Sequence, residues 1–152
     1  MVEVGRKAPQ FTLEDQSGER VSLESLQGQK VVLYFYPKDN TPGCTKQACG
    51  FRDQQQEFAS ANTVILGISP DDAVAHQKFV AKFDLPFQLL IDADHVVCEA
   101  YGVWKEKNMY GRKYMGVERS TFIIDEEGVL RHEVRKVKVD GHVRAMLAEV
   151  QA

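Results

Sequence analysis

Three cysteines, Cys44, Cys49 and Cys98, are the residues of this sequence best equipped for covalent chemistry. An odd number of them in a chain of 152 residues argues against a framework of structural disulfides. A close pair such as Cys44 and Cys49 then has three readings: redox-active, metal-binding or simply buried. The residues just before the pair favour the first. Thr41-Pro42-Gly43-Cys44 has the makings of a helix start, with Thr41 suited to the N-cap and Pro42 to the first helical position. On that register Cys44 falls in the first turn, where the backbone N–H groups of Gly43 and Cys44 lack intrahelical partners. The positive end of the helix dipole lies there too, so an anion is favoured, and a thiolate is an anion. Gly43 leaves room for a ligand to approach the backbone. The plainer alternative, Cys44 as a small buried apolar residue, stays open on spacing alone.

The metal reading is the weaker one. A structural zinc site takes about four Cys or His ligands at short paired spacings. His76, His95, His132 and His142 are scattered singly, and each reads as a surface or packing residue. A dithiol reductase of the thioredoxin kind normally carries C-x-x-C, whereas this pair is C-x4-C, so that reading ranks second. Asp92-Ala-Asp94 resembles a fragment of a calcium loop but lacks the following Gly and the later Glu, which makes it a loop and helix cap. Cys98, among Val96, Val97 and Ala100, reads as a buried structural thiol. No glycine-rich phosphate loop, haem signature or flavin fingerprint is apparent, so no cofactor is expected.

The elements that must position Cys44 follow from hydrophobic periodicity. Phe11–Glu14 and Arg20–Leu23 flank a turn at Gln16-Ser-Gly-Glu19 and predict a short N-terminal hairpin. Lys30-Val-Val-Leu-Tyr-Phe-Tyr36, closed by Pro37, predicts a buried strand, and a helix from Pro42 to about Ala61-Asn62 follows it. Thr63–Ile68 is the next strand, then a helix from Ser69-Pro-Asp-Asp72 to about Phe83, a strand at Phe87–Ile91 and a short helix near His95–Tyr101. Ser120–Ile124 and Val129–Val134 form a hairpin around Gly128, and Asp140–Val150 a closing helix. Lys105-Glu-Lys107 and Arg135-Lys-Val-Lys138 read as solvated faces, and nothing assigns Trp104 or Tyr110. A hairpin, then β-α-β-α-β, then β-β-α indicates an α/β fold of thioredoxin-like order: a mixed central sheet flanked by helices, with the hairpin as an N-terminal extension. No repeat or linker divides the chain, so residues 1–152 are expected to form one domain.

Bulk composition bounds the partners. Hydrophobic residues at 43% and charged residues at 27% describe an ordinary globular chain. A net charge of -3 with no long basic run gives no reason to expect nucleic acid or an anionic membrane. The start has no apolar signal-like segment, and the longest apolar stretch, Val31–Tyr36, is too short to span a bilayer. A cytoplasmic location is expected.

Pro37-x-x-x-Thr41-x-x-Cys44 matches the P-x-x-x-[T/S]-x-x-C signature of peroxiredoxins. The wider string from Tyr34 to Asp53 resembles the bacterioferritin comigratory protein (PrxQ) subfamily. Gly116-Val-Glu-Arg119-Ser-Thr-Phe-Ile-Ile-Asp125 is similar to the segment that supplies the family's active-site arginine. The likeness runs from Gly5-x-x-Ala8-Pro9-x-Phe11 to the last helix. It implies a thioredoxin-dependent peroxidase acting on hydrogen peroxide and organic hydroperoxides, in a subfamily often found as monomers. Cys44 would be the peroxidatic cysteine and Cys49 its resolving partner. Thr41 would hydrogen-bond the peroxide, Arg119 would hold sulfur and peroxide oxygens, and Pro37 would shield the thiolate from water.

Two physical limits apply to those roles. A free cysteine, with a pKa of about 8.5, is about 3% ionised at pH 7, and lowering that pKa by about 2 units gains roughly 25-fold in thiolate. The weaker nucleophile loses roughly 8-fold, so the net gain is only about 3-fold. Most of the acceleration must therefore come from donors facing the charge that develops on the peroxide oxygens. Residues five apart on a regular helix have Cα atoms roughly 8.7 Å apart, beyond the limit of about 7 Å for a disulfide. Resolution of Cys44 by Cys49 would require the helix to unwind locally.

Overall fold

The computed structural model describes residues 2–152; Met1 lies outside them. A five-stranded mixed sheet forms its centre, in the order β5-β4-β3-β8-β9. Strand β3 (Lys30–Phe35) lies in the middle, parallel to β4 (Thr63–Ser69) and antiparallel to β8 (Ser120–Ile124). Beyond them, β5 (Gln88–Ile91) runs parallel to β4, and β9 (Leu130–Arg135) antiparallel to β8. Strand β3 is buried on both faces. Val31, Leu33 and Phe35 join one core, and Val32, Tyr34 and Tyr36 the other, as the alternation of side chains along a strand requires.

The first core is closed by the N-terminal hairpin, β1 (Thr12–Glu14) and β2 (Arg20–Ser22), and by α4 (Val96–Ala100). The second is covered by α1 (Pro42–Asp53), α2 (Gln55–Ser60), α3 (Ala73–Phe83) and α5 (His142–Gln151). Asp72 caps α3 through its carboxylate, which accepts the Ala75 N–H at 2.9 Å. The thioredoxin-like order, the mixed sheet and the N-terminal hairpin are all present as expected.

Two expectations need correction. The helix expected to run from Pro42 to about Asn62 breaks at Gln54 (φ −108°, ψ 10°) into α1 and α2. Phe51 and Phe58 enter the same core from either side of the break, with ring centroids 5.7 Å apart. The apolar pattern runs through the break without a Pro or Gly to mark it. Residues left unassigned or read as a solvated face form a second hairpin, β6 (Trp104–Met109) and β7 (Arg112–Val117). Its two turn residues, Tyr110 and Gly111, both have positive φ (53° and 79°), the signature of a tight two-residue hairpin turn. Most of its side chains are solvated on both faces, so no apolar alternation betrays it. Among the described residues, no helix is long and apolar enough to cross a membrane.

Candidate active site

The buried strand β3 delivers the chain to a short loop, and the loop delivers it to the amino end of α1. Thr41 holds the N-cap position with extended backbone (φ −97°, ψ 156°), and Pro42 opens the helix. Thr45 donates its N–H to the Thr41 carbonyl at 2.8 Å, while the N–H groups of Gly43 and Cys44 find no acceptor among the described residues. Those two donors are therefore free to face an anion. Cys44 sits there with 1% of its surface exposed, part of the second core.

Arg119 completes the site from a position 75 residues away in sequence, between β7 and β8. Its Nη2 donates to Cys44 Sγ at 3.1 Å, and its Nη1 donates to Gln47 Oε1 at 2.6 Å. Gln47 is fully buried one turn along α1, so one helix carries both the sulfur and the acceptor that aims the guanidinium. The Gln47 Nε2 group is buried and finds no partner among the described residues. Gly43 has a steric reason: a Cβ there would lie 3.1 Å from Arg119 Nη2 and crowd the guanidinium. The Arg119 carbonyl accepts the Val137 N–H at 2.9 Å, which fixes the backbone that carries it.

Thr41 differs in detail from expectation. Its hydroxyl caps nothing; it donates to the Lys38 carbonyl at 2.9 Å and leaves its oxygen lone pairs open. Pro37 is half-buried where the strand ends. Cys49 lies half-buried on the same uninterrupted helix as Cys44, and all three cysteines are free. Cys98 is fully buried on the other side of the sheet, and burial, with Asp92 beside it, pushes its thiol far above the ordinary range. Asp92 caps α4, accepting the Val97 and Cys98 N–H groups at 3.2 and 2.7 Å, as the loop-and-cap reading expected.

Gln47, His142 and Lys107 escaped the sequence reading. Burial, then the charge of Arg119, pulls the Lys107 amine below its ordinary value, while Cys44 and Glu118 pull the other way. His142, expected at a surface or in plain packing, is buried at the start of α5. Its ring stands edge-to-face with Phe51 (centroids 6.2 Å apart) and its Nε2 lies 2.8 Å from Thr121 Oγ1. Burial, followed by the charges of Arg119 and His132, pushes its pKa down to about 4.

That shift predicts acid sensitivity. The neutral ring is favoured in the folded state, so its contribution is complete above the ordinary value of 6.5 and is lost as pH falls from there towards about 4. Denaturant titrations across this range should show stability falling with pH, and His142→Asn should flatten that slope. An unchanged slope would contradict the assignment.

Residues 4–133 match the model of the AhpC/TSA family. The chain belongs to that family. Among its relatives are the peroxiredoxin Bcp of Bacillus subtilis (53% identical over 146 residues, 96% of this chain and 93% of the relative) and that of Escherichia coli K12 (47% over 141 residues, 93% and 90%). A bacterioferritin comigratory protein from Xanthomonas campestris has the same fold, with a TM-score of 0.91 and 40% identity over 98% of each chain. It was solved as trapped-intermediate and ligand complexes bearing on its alkyl peroxide reduction activity. This chain is a peroxiredoxin of the Bcp/peroxiredoxin Q group, as the string from Tyr34 to Asp53 led one to expect. In this peroxiredoxin the matched segment runs from ahead of the N-terminal hairpin into β9, and so includes both Cys44 and Arg119.

Proposed function

We propose that Cys44 is the peroxidatic sulfur of this thiol peroxidase and Cys49 its resolving partner. The observation that carries the reading is the Arg119 Nη2 hydrogen bond to Cys44 Sγ, 3.1 Å long, at a helix end with two free N–H donors. The Cys44 thiolate attacks one oxygen of hydrogen peroxide or an organic hydroperoxide. The O–O bond breaks, an S–O bond forms, and the leaving hydroxide or alkoxide takes a proton from water. Cys44 is left as a sulfenic acid. Arg119 and the first-turn N–H groups stabilise the negative charge that spreads over both oxygens. The Thr41 hydroxyl has given its hydrogen to Lys38, so its oxygen accepts the peroxide O–H. Pro37 shields the sulfur from water.

Cys49 then attacks the sulfenic sulfur, water leaves, and a Cys44–Cys49 disulfide forms once the first turns of α1 have opened. A dithiol of the thioredoxin kind reduces it by exchange. The enzyme acts as a cytoplasmic monomer of one domain and needs no cofactor. Hydrogen peroxide added to the protein with thioredoxin, thioredoxin reductase and NADPH should drive NADPH oxidation that depends on every component. Peroxide consumption that ignored thioredoxin would remove it as the reductant.

A further inference from the structure

One loop away from the sulfur lies a second organised group of titratable side chains. Asp39 sits midway between Pro37 and Thr41, in the loop that carries both, yet its carboxylate turns inward and is buried. The Tyr36 hydroxyl donates to Asp39 Oδ1 at 2.5 Å, and His76 Nδ1 lies 2.5 Å from Oδ2. His76, on α3, is 0% exposed, and its Nε2 is 2.9 Å from the Leu90 carbonyl. A carbonyl only accepts, so Nε2 carries a hydrogen, and a proton must also lie between Nδ1 and the carboxylate. The Asp39 N–H donates to Asp71 Oδ2 at 2.8 Å, which also accepts the Ser69 hydroxyl at 2.8 Å. Ligand atoms of Asp39, Asp71 and His76 lie within 4.8 Å of one another, but the Asp39 oxygens, Asp71 Oδ2 and both His76 nitrogens are engaged by the chain itself. The group is a brace, tying the loop to β4, α3 and β5.

We propose that the Tyr36–Asp39–His76 cluster positions the loop carrying Pro37 and Thr41 for the peroxide step, and that this positioning fails at alkaline pH when the proton between His76 and Asp39 is lost. The inference rests on the function proposed above, since it concerns that reaction's rate. Lys38, next to Asp39, supplies the carbonyl that orients the Thr41 hydroxyl. Asn40, on the other side, is in the left-handed region (φ 59°) and accepts from Lys82 Nζ on α3 at 3.2 Å. With the Asp39 brace released, Lys38 and Thr41 lose their fixed place, and a displacement of about 1 Å in such a site can cost roughly 100-fold in rate.

The groups facing His76 are Tyr36 and Asp39 from β3 and its loop, Ser69 and Asp71 from the end of β4, and the Leu90 carbonyl of β5. On its own helix the Asp72 carbonyl accepts the His76 N–H at 3.1 Å. Burial opposes charge on the ring, but the hydrogen bond and charge of Asp39, with Leu90 and Asp71, outweigh it and raise the His76 pKa. A raised value means that the brace is complete below the ordinary histidine range and is lost as pH rises through the folded value. Past that point two acceptors face each other.

Asp39→Asn and Asp39→Ala, each in a Cys49→Ser parent, test this by stopped-flow oxidation with hydrogen peroxide from about pH 6 to about pH 10. An amide can still accept from Tyr36 and can donate to a neutral Nδ1. At neutral pH Asp39→Ala should therefore be about 30-fold slower than the parent, and Asp39→Asn within about 5-fold. The parent-to-Asn rate ratio cancels the ionisation of sulfur and peroxide common to both. It should be level on the acid side and fall by at least about 5-fold on the alkaline side. Nitrogen NMR should find the His76 Nδ1 protonated at neutral pH in the parent and unprotonated in Asp39→Asn.

A ratio level throughout would overturn the inference, as would an Asp39→Ala protein that folds and reacts as fast as Asp39→Asn. Should Asp39→Ala not fold, the Asn ratio and the NMR signal decide the matter alone. A parent that left peroxide untouched would overturn the proposed function and this inference with it; a reactive parent with a level ratio overturns the inference only.

Discussion

Arg119→Met is expected to slow the oxidation of Cys44 by hydrogen peroxide by about 100-fold to 1,000-fold, the range seen when one preorganised donor to a developing oxyanion is removed. The substitution keeps much of the side-chain length and removes the Nη2 donor to Cys44 Sγ and the Nη1 donor to Gln47. Sulfur ionisation is too small a lever to account for such a loss. Changing a thiol's pKa by about 2 units alters the product of thiolate fraction and nucleophilicity by only about 3-fold. The larger part belongs to charge that appears on the peroxide oxygens only in the transition state. Stopped-flow rates compared at equal thiolate fraction, followed by ultraviolet absorbance, separate the two. A loss of a few-fold at matched ionisation would contradict the account and reduce Arg119 to a counter-ion.

Cys49→Ser should stop catalysis after the first peroxide, cutting steady-state turnover with thioredoxin by about 100-fold or more, because a sulfenic acid on Cys44 would then have no thiol on its own side of the sheet to condense with, Cys98 being buried in the opposite core. A second expectation comes from geometry. Both cysteines lie on the unbroken helix α1, where their Cα atoms are roughly 8.7 Å apart, too far for a disulfide. A Cys44–Cys49 disulfide can therefore form in the wild type only if α1 unwinds and parts from α5. The two pack tightly at Gly50, where a Cβ would meet Val143 Cγ2 at 2.9 Å. The Lys46–Asp140 ion pair, which ties α1 to the segment just ahead of α5, is exposed and holds little. Amide hydrogen exchange over α1 should rise sharply in the oxidised wild type and stay low in peroxide-treated Cys49→Ser. Equal protection in both would show that the helix never opens.

What the sequence revealed depended on how locally each feature is encoded. Strand β3 was legible because every residue after Lys30 is buried and the run is rich in β-branched and aromatic side chains. The helix start at Thr41-Pro42-Gly43 was legible because caps and prolines act within a few residues. Arg119 was not reachable that way. It joins Cys44 across 75 residues, and only the family resemblance pointed to it. Gln47 and His142 were overlooked because their roles come from what they meet in three dimensions, a guanidinium and the Thr121 hydroxyl. The direction of the Thr41 hydroxyl is likewise set by the fold, since a cap residue can bond forward to the helix or back to Lys38. Hairpin β6–β7 went unseen because both of its faces are largely solvated. Its one local sign was Tyr110-Gly111, a turn pair with no apolar alternation around it.

The claim that carries the rest is that a single sulfur meets the peroxide. Reduced wild type and Cys44→Ser, each mixed with hydrogen peroxide in the absence of any reductant, test it directly by the amount of peroxide consumed. The account predicts one equivalent rapidly consumed by the wild type and none by Cys44→Ser; rapid consumption by the serine variant would contradict it.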